Sequence, residues 1–254
     1  MFRVAMPSLG LLFLTVLMSL ASAQPSEEWT QCASQPKASS DPHSGCTSPN
    51  PSGMETQKNA AAYYSSGNAH LNKKNYDGAI ADYDEAIELD PKYAIVYASR
   101  GNAYLGKKDY DRAIADYDKA IEIDPRDAVS YALRGFVYNV RGQERNDPSD
   151  QDRAIANYTK AIEINPKYAV AYNNRAWAYF TAGKAAQGLP DVEKSLELNP
   201  NSAHALDTRG SIFEALGRRE EAIADFRRAL AVAPNNPAVQ SSGKEALKRL
   251  GVRQ

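Results

Sequence analysis

The phrase AIADYDEAIELDP at residues 79–91 returns as AIADYDKAIEIDP at residues 113–125, and Gly67 and Gly101 are separated by the same 34 residues. The phrase recurs as AIANYTKAIEINP at 154–166, weakens to GLPDVEKSLELNP at 188–200, and closes as AIADFRRALAVAP at 222–234. A period of this length constrains the fold more tightly than any single motif. Each copy is one pair of short helices that cannot bury its apolar face alone, so neighbouring copies must stack.

The substitutions within the repeat fit this reading. In the first half of each unit a large residue holds the fourth position (Tyr63, Tyr97, Tyr131, Tyr172, Leu206), a small one the eighth (Gly67, Gly101, Gly135, Ala176, Gly210) and a ring the eleventh (His70, Tyr104, Tyr138, Tyr179, Phe213). Steps of four, three and seven keep such residues on one stripe of a helix. The second half sets small residues at positions twenty and twenty-seven around a large one at twenty-four (Tyr83, Tyr117, Tyr158, Val192, Phe226), so that paired helices approach and interdigitate. A proline ends each unit (Pro91, Pro125, Pro166, Pro200, Pro234), stopping one helix and pre-setting the backbone for the next.

This pattern resembles the tetratricopeptide repeat family over roughly residues 60–234. The resemblance implies an all-α, right-handed α-solenoid of five helix-turn-helix repeats at about 60–93, 94–127, 128–168, 169–202 and 203–236. A capping helix follows at 237–250, within a repeat domain spanning 59–254. The units depart from the family at position seven, where Leu gives way to Ser66 in the first and to Arg100, Arg134, Arg175 and Arg209 in the others. An acid or amide stands at position twenty-three of every unit (Asp82, Asp116, Asn157, Asp191, Asp225), so pairing between helices is expected. The third unit carries seven extra residues around Gly142 to Asp150, expected as a turn insertion with Ser149 or Asp150 capping the next helix.

The resemblance also implies that first helices line a groove for another protein or peptide. Carried over position by position, the groove residues are Tyr64, Asn68, Asn102, Phe136, Asn173, Trp177, Phe180, Asp207 and Ser211. Amides donate to and accept from a peptide backbone, and large rings are the residues on which interfaces concentrate their energy. Some family members clamp a C-terminal carboxylate with Lys, Asn and Arg at set positions. Here those sites hold Tyr64, Ser99, Val129 and Leu133, so an internal extended or helical segment is the expected ligand. Self-association without a dedicated peptide is the alternative.

Upstream of the repeats the chain has a different character. Arg3 precedes the uncharged apolar run at residues 8–20, and Ala21-Ser22-Ala23 supplies the small residues of a cleavage site, so residues 1–23 read as an export signal. Its removal takes away one charge, moving the net from -1 to -2. Residues 24–58 are rich in Ser, Pro, Gln and Thr and read as a disordered lead-in. Cys32 and Cys46 both lie there and, in an oxidising compartment, are expected to form a disulfide. A bacterial periplasm or secreted location fits, since the acceptor triplet Asn157-Tyr158-Thr159 falls inside a packed helix where a sugar would be awkward.

Several chemistries find no footing. Thirty basic against thirty-one acidic residues leave no excess charge for nucleic acid. Residues 101–108 have the glycine and lysine spacing of a phosphate loop, but Lys108 stands where a hydroxyl should hold magnesium, and Gly101 is the packing glycine of a repeat. The three histidines, His43, His70 and His204, share no metal-binding spacing, and His70 reads as a buried structural residue. No small-molecule substrate, cofactor, metal or enzymatic activity is expected.

Overall fold

The structure, a computed structural model, describes residues 51–252. The export signal, most of the lead-in and both cysteines lie outside the described residues. Eleven helices and no strands are present among the described residues: α1 Pro51–Asn72, α2 Tyr76–Leu89, α3 Ala94–Gly106, α4 Tyr110–Ile123, α5 Ala128–Arg145, α6 Pro148–Ile164, α7 Ala169–Thr181, α8 Ala185–Leu198, α9 Ala203–Ala215, α10 Arg219–Val232 and α11 Pro237–Arg249. The all-α expectation is met. None of the helices among the described residues is long and apolar enough to cross a membrane.

Odd- and even-numbered helices pair within each repeat, and each even helix also packs on the next odd one. Successive first helices also come together: α1 meets α3, α5 meets α7, and α9 meets both α7 and α11. Successive second helices make no comparable approach, so the first helices form the inner wall of the stack. The core runs between the two helix rows, with Tyr83, Tyr117, Tyr158 and Phe226 among its largest fully buried side chains.

Two turn types explain why the period holds. Between the first and second helix of each unit one residue takes the left-handed conformation: Lys74 (φ 58°), Lys108 (φ 61°), Asn146 (φ 53°), Gly183 (φ 73°) or Gly217 (φ 74°). Next, the N–H of Asn75, Asp109, Asp147, Lys184 or Arg218 bonds back to the carbonyl of the residue five before it, satisfying a helix end. Between units, the carboxylate or amide ahead of the proline accepts the N–H two residues on, as Asp90 does from Lys92 at 3.0 Å and Asn165 from Lys167 at 3.0 Å.

Four local expectations change. The insertion in the third unit forms no loop: it lengthens α5 to 18 and α6 to 17 residues, where α3 and α4 have 13 and 14. The cap of α6 is Asp147, accepting the Ser149 N–H at 2.9 Å, because Pro148 takes the first helical turn and leaves the cap to its predecessor. Asp150 is instead buried one turn in, held by Arg141 at 2.7 Å and Arg153 at 3.0 Å. His70 is not buried either. Its Nδ1 lies 2.9 Å from Asn75 Nδ2 at the partly exposed rim of the first turn, because Asn75 must face that turn to cap α2. Helix α1 starts at Pro51, upstream of residue 59, since Met54 to Lys58 are mostly good helix formers and a proline can open the helix.

Candidate functional site: the wall of first helices

The arginines at position seven build the frame that positions this wall. Arg100 Nε and Nη2 fork onto Asp116 at 2.9 and 2.7 Å, Arg175 onto Asp191 at 2.7 and 2.7 Å, and Arg209 onto Asp225 at 2.6 and 2.8 Å. Arg134 meets the amide of Asn157 at 2.8 Å. The expected pairing is therefore present. The structure adds a third contact, in which the remaining Nη1 reaches back to position twenty-five of the preceding unit: Arg100 to Asp84 at 2.5 Å, Arg134 to Asp118, and Arg175 to Thr159 at 2.9 Å. Each guanidinium also lies over a ring of its own helix, at 5.6 Å for Tyr97, 5.4 Å for Tyr131 and 5.9 Å for Tyr172, within reach of a cation–π attraction. One side chain thus ties two consecutive repeats together. Asn157 is committed to this frame, since its amide nitrogen also donates to the Arg153 carbonyl at 2.8 Å.

The nine groove positions divide into two kinds. Asn68 accepts the Tyr83 hydroxyl at 2.7 Å and Asn102 the Tyr117 hydroxyl at 2.8 Å, so one side of each amide joins the two helices of its own repeat. Tyr64 packs between the rings of Tyr83 and Tyr93, with centroids at 6.2 and 5.6 Å. Ser211 donates to the Asp207 carbonyl at 3.0 Å along α9, and Asp207 accepts the Ser242 hydroxyl at 3.0 Å, tying α9 to α11. These five serve packing in whole or in part.

The remaining four gather in the third and fourth units. Phe136 is buried, and Phe180 lies beside Trp177 with ring centroids 5.1 Å apart. Asn173 and Trp177 stand one helical turn apart on α7, at 7% and 6% exposure. Asn173 Oδ1 and Trp177 Nε1 make no hydrogen bond within the chain, which leaves one acceptor and one donor unused at adjacent points of the wall. The nearby Tyr158 hydroxyl is also without a partner, because the position that supplies Asn68 and Asn102 elsewhere is Phe136 here. The sequence carried a signal for this, since position nine changes from Asn to ring just in these units.

Electrostatics mark the far end of the wall. Burial raises the Asp207 carboxyl to about 6, with Ser242 and Arg249 opposing the shift. Its folded-state value exceeds the unfolded one near 4, so folding takes up a proton between the two. The contribution of this site is then most favourable below about pH 4, declines as pH rises through 6, and is constant above. Asp207→Asn is accordingly expected to stabilise the protein at pH 8 by roughly 1–2 kcal/mol, with the gain shrinking toward zero at pH 4.5. Thermal melts at both pH values test this, and a difference independent of pH would show that burial does not penalise the carboxylate.

Among the described residues no group of three or more His, Cys, Asp or Glu side chains is placed to hold a metal ion. Models of the tetratricopeptide repeat match at residues 55–94, 64–128, 169–202 and 203–236, and a TPR repeat model matches 142–183. The chain belongs to the tetratricopeptide repeat family, whose fold is a scaffold for protein–protein interaction. Among solved structures it is similar to the MamA protein, at 25% identity and TM-score 0.56 over 70% of this chain and 93% of that one. It also resembles Pseudomonas aeruginosa pilF, at 20% identity and TM-score 0.64 over 78% and 86%. A third is YrrB, described as a TPR protein with an unusual peptide-binding site, at 22% identity and TM-score 0.54 over 75% and 95%. Among curated proteins no sequence matches significantly.

Proposed function

We propose that this chain is an exported, non-enzymatic adaptor that holds an extended or helical segment of another protein against α5 and α7. The observation that carries the reading is the unused pair on α7, Asn173 Oδ1 and Trp177 Nε1. A buried polar group without a partner lowers stability by about 1–3 kcal/mol, and a small outward turn of these two side chains, one helical turn apart on the first-helix wall, lets a ligand backbone supply the N–H and C=O they lack. Trp177 and Phe180 provide the large rings beside that pair. Export rests on residues 1–23, and the near-balanced charge supports a protein ligand over nucleic acid. The peptide-binding site described for YrrB supports the same use of a related scaffold.

A photoreactive residue at position 177 in living cells should capture the segment, whose affinity can then be measured on purified protein. Trp177→Phe keeps one ring and removes the unpaired donor, and the small cavity left by the lost half of the indole offsets the gain from deleting a buried unsatisfied group. It is expected to weaken that segment about 10-fold while changing thermal stability by no more than about 1 kcal/mol. Undiminished affinity in Trp177→Phe and in Asn173→Leu would show that α7 does not contact the ligand.

A further inference from the structure

At the N-terminal end of the stack the repeating arginine is missing, and a pocket stands in its place. In the second, fourth and fifth units a guanidinium fills the space between position seven and an aspartate at position twenty-three, forked onto that carboxylate. The first unit has the aspartate, Asp82, but Ser66 where the arginine would start. Asp82 Oδ2 is buried and accepts no hydrogen bond, and the nearest nitrogen of opposite character, His70 Nε2, is 3.8 Å away. Above the missing side chain lies a pocket of about 570 Å³, lined by Tyr63, Ser66, Asp82, Glu85 and Leu89 among others. Tyr63 is 39% exposed, whereas its counterpart Tyr97 is 8% exposed beneath Arg100 and the preceding helix.

We propose that this pocket receives an arginine carried on a helix of a partner protein, seated where a preceding repeat would place its second helix. Four sites in the same chain show what the slot accepts: a planar cation that lies over the position-four ring in the middle units and, in three of the four, pairs in fork geometry with a carboxylate. Two carboxylates, Asp82 and Glu85, line the pocket, with no lysine or arginine among the described residues that line it, so its charge favours a cation. The apolar walls of Tyr63, Ala62 and Leu89 match the aliphatic stem of arginine and the flank of a helix. In the stack the contact to a preceding second helix is made at its position twenty-five, as Arg100 does with Asp84. The incoming arginine is therefore expected at the position that corresponds to Asp84. This end lies outside the wall of α5 and α7, so its occupancy is independent of the groove.

The probe is a synthetic 14-residue peptide with the α2 sequence, Tyr76–Leu89, carrying Asp84→Arg, titrated into the full chain with amide signals of Ser66 and Asp82 as the readout. Binding at least 10-fold tighter than the unmodified α2 peptide, lost in Asp82→Asn, supports the assignment. Ser66→Arg on the protein, which fills the slot from within, is expected to abolish binding and raise the melting temperature. Equal binding of both peptides, or binding undisturbed by Ser66→Arg, overturns the proposal. A concentration-dependent dimer of the chain alone, abolished by Ser66→Arg, overturns the choice of a foreign partner and places a second copy in the pocket.

Discussion

Arg100→Ala is expected to lower the stability of the array by about 2–4 kcal/mol, while Arg134→Ala costs only about 1 kcal/mol. The difference comes from what each removal leaves behind. Asp116 is 5% exposed, and without Arg100 its carboxylate stays buried with no counter-charge, while the tie to Asp84 in the preceding unit is lost as well. Arg134 faces the neutral amide of Asn157 and the exposed Asp118, so its loss leaves no buried charge. Melting temperatures should fall by roughly 5–15 °C for Arg100→Ala and by only a few degrees for Arg134→Ala. Arg100→Leu combined with Asp116→Leu should recover most of the loss, because burial of two apolar groups has no desolvation penalty. Equal losses at the two arginines would show that the buried carboxylate is not the source of the effect.

Gly188→Ala is expected to destabilise by about 2–3 kcal/mol, the reverse of the usual gain when glycine inside a helix becomes alanine. A methyl group at Gly188 would come 2.7 Å from the Ala176 carbonyl oxygen and 3.2 Å from its Cα, and backbone atoms cannot turn aside as a side chain can. The other four units place glycine at position eight and alanine at position twenty; here the two are exchanged, as Ala176 and Gly188. The crossing of the paired helices admits a single Cβ. Gly101 and Gly135 meet it from the opposite side, with the carbonyls of Ala113 and Ala154 at 3.3 and 3.2 Å. Ala176→Gly removes none of the atoms struck but lets the helices re-seat in the glycine-at-eight, alanine-at-twenty crossing of the other four units, and so should rescue Gly188→Ala, leaving the double variant within about 1 kcal/mol of the parent. Failure of that rescue, with the two losses adding, would show that the sites do not share one space.

That exchange was visible in the sequence as small residues at both positions, but not as a reciprocal pair, because reciprocity is a statement about one shared volume. The same division runs through the candidate site. The amide and aromatic positions of the wall were legible, yet only the packed helices show that Asn68 and Asn102 are engaged by tyrosine hydroxyls while Asn173 and Trp177 are not. The absence of Arg at position sixty-six could be read along the chain. The consequence, a pocket over an aspartate with no guanidinium against it, shows only once the helices are packed.

The chain alone determined the helix pairs, their period and the arginine frame, because these follow from local spacing: apolar stripes at helical steps, prolines at fixed intervals, and charges that recur in register. It misplaced the insertion and the cap of α6, where Pro148 and the buried Asp150 decided how far each helix ran. Which polar atoms remain unused was settled only in three dimensions. A hydrogen bond between Tyr83 and Asn68 depends on how closely two helices cross, and that distance is set by the joint packing of both helices and not by either one's residues.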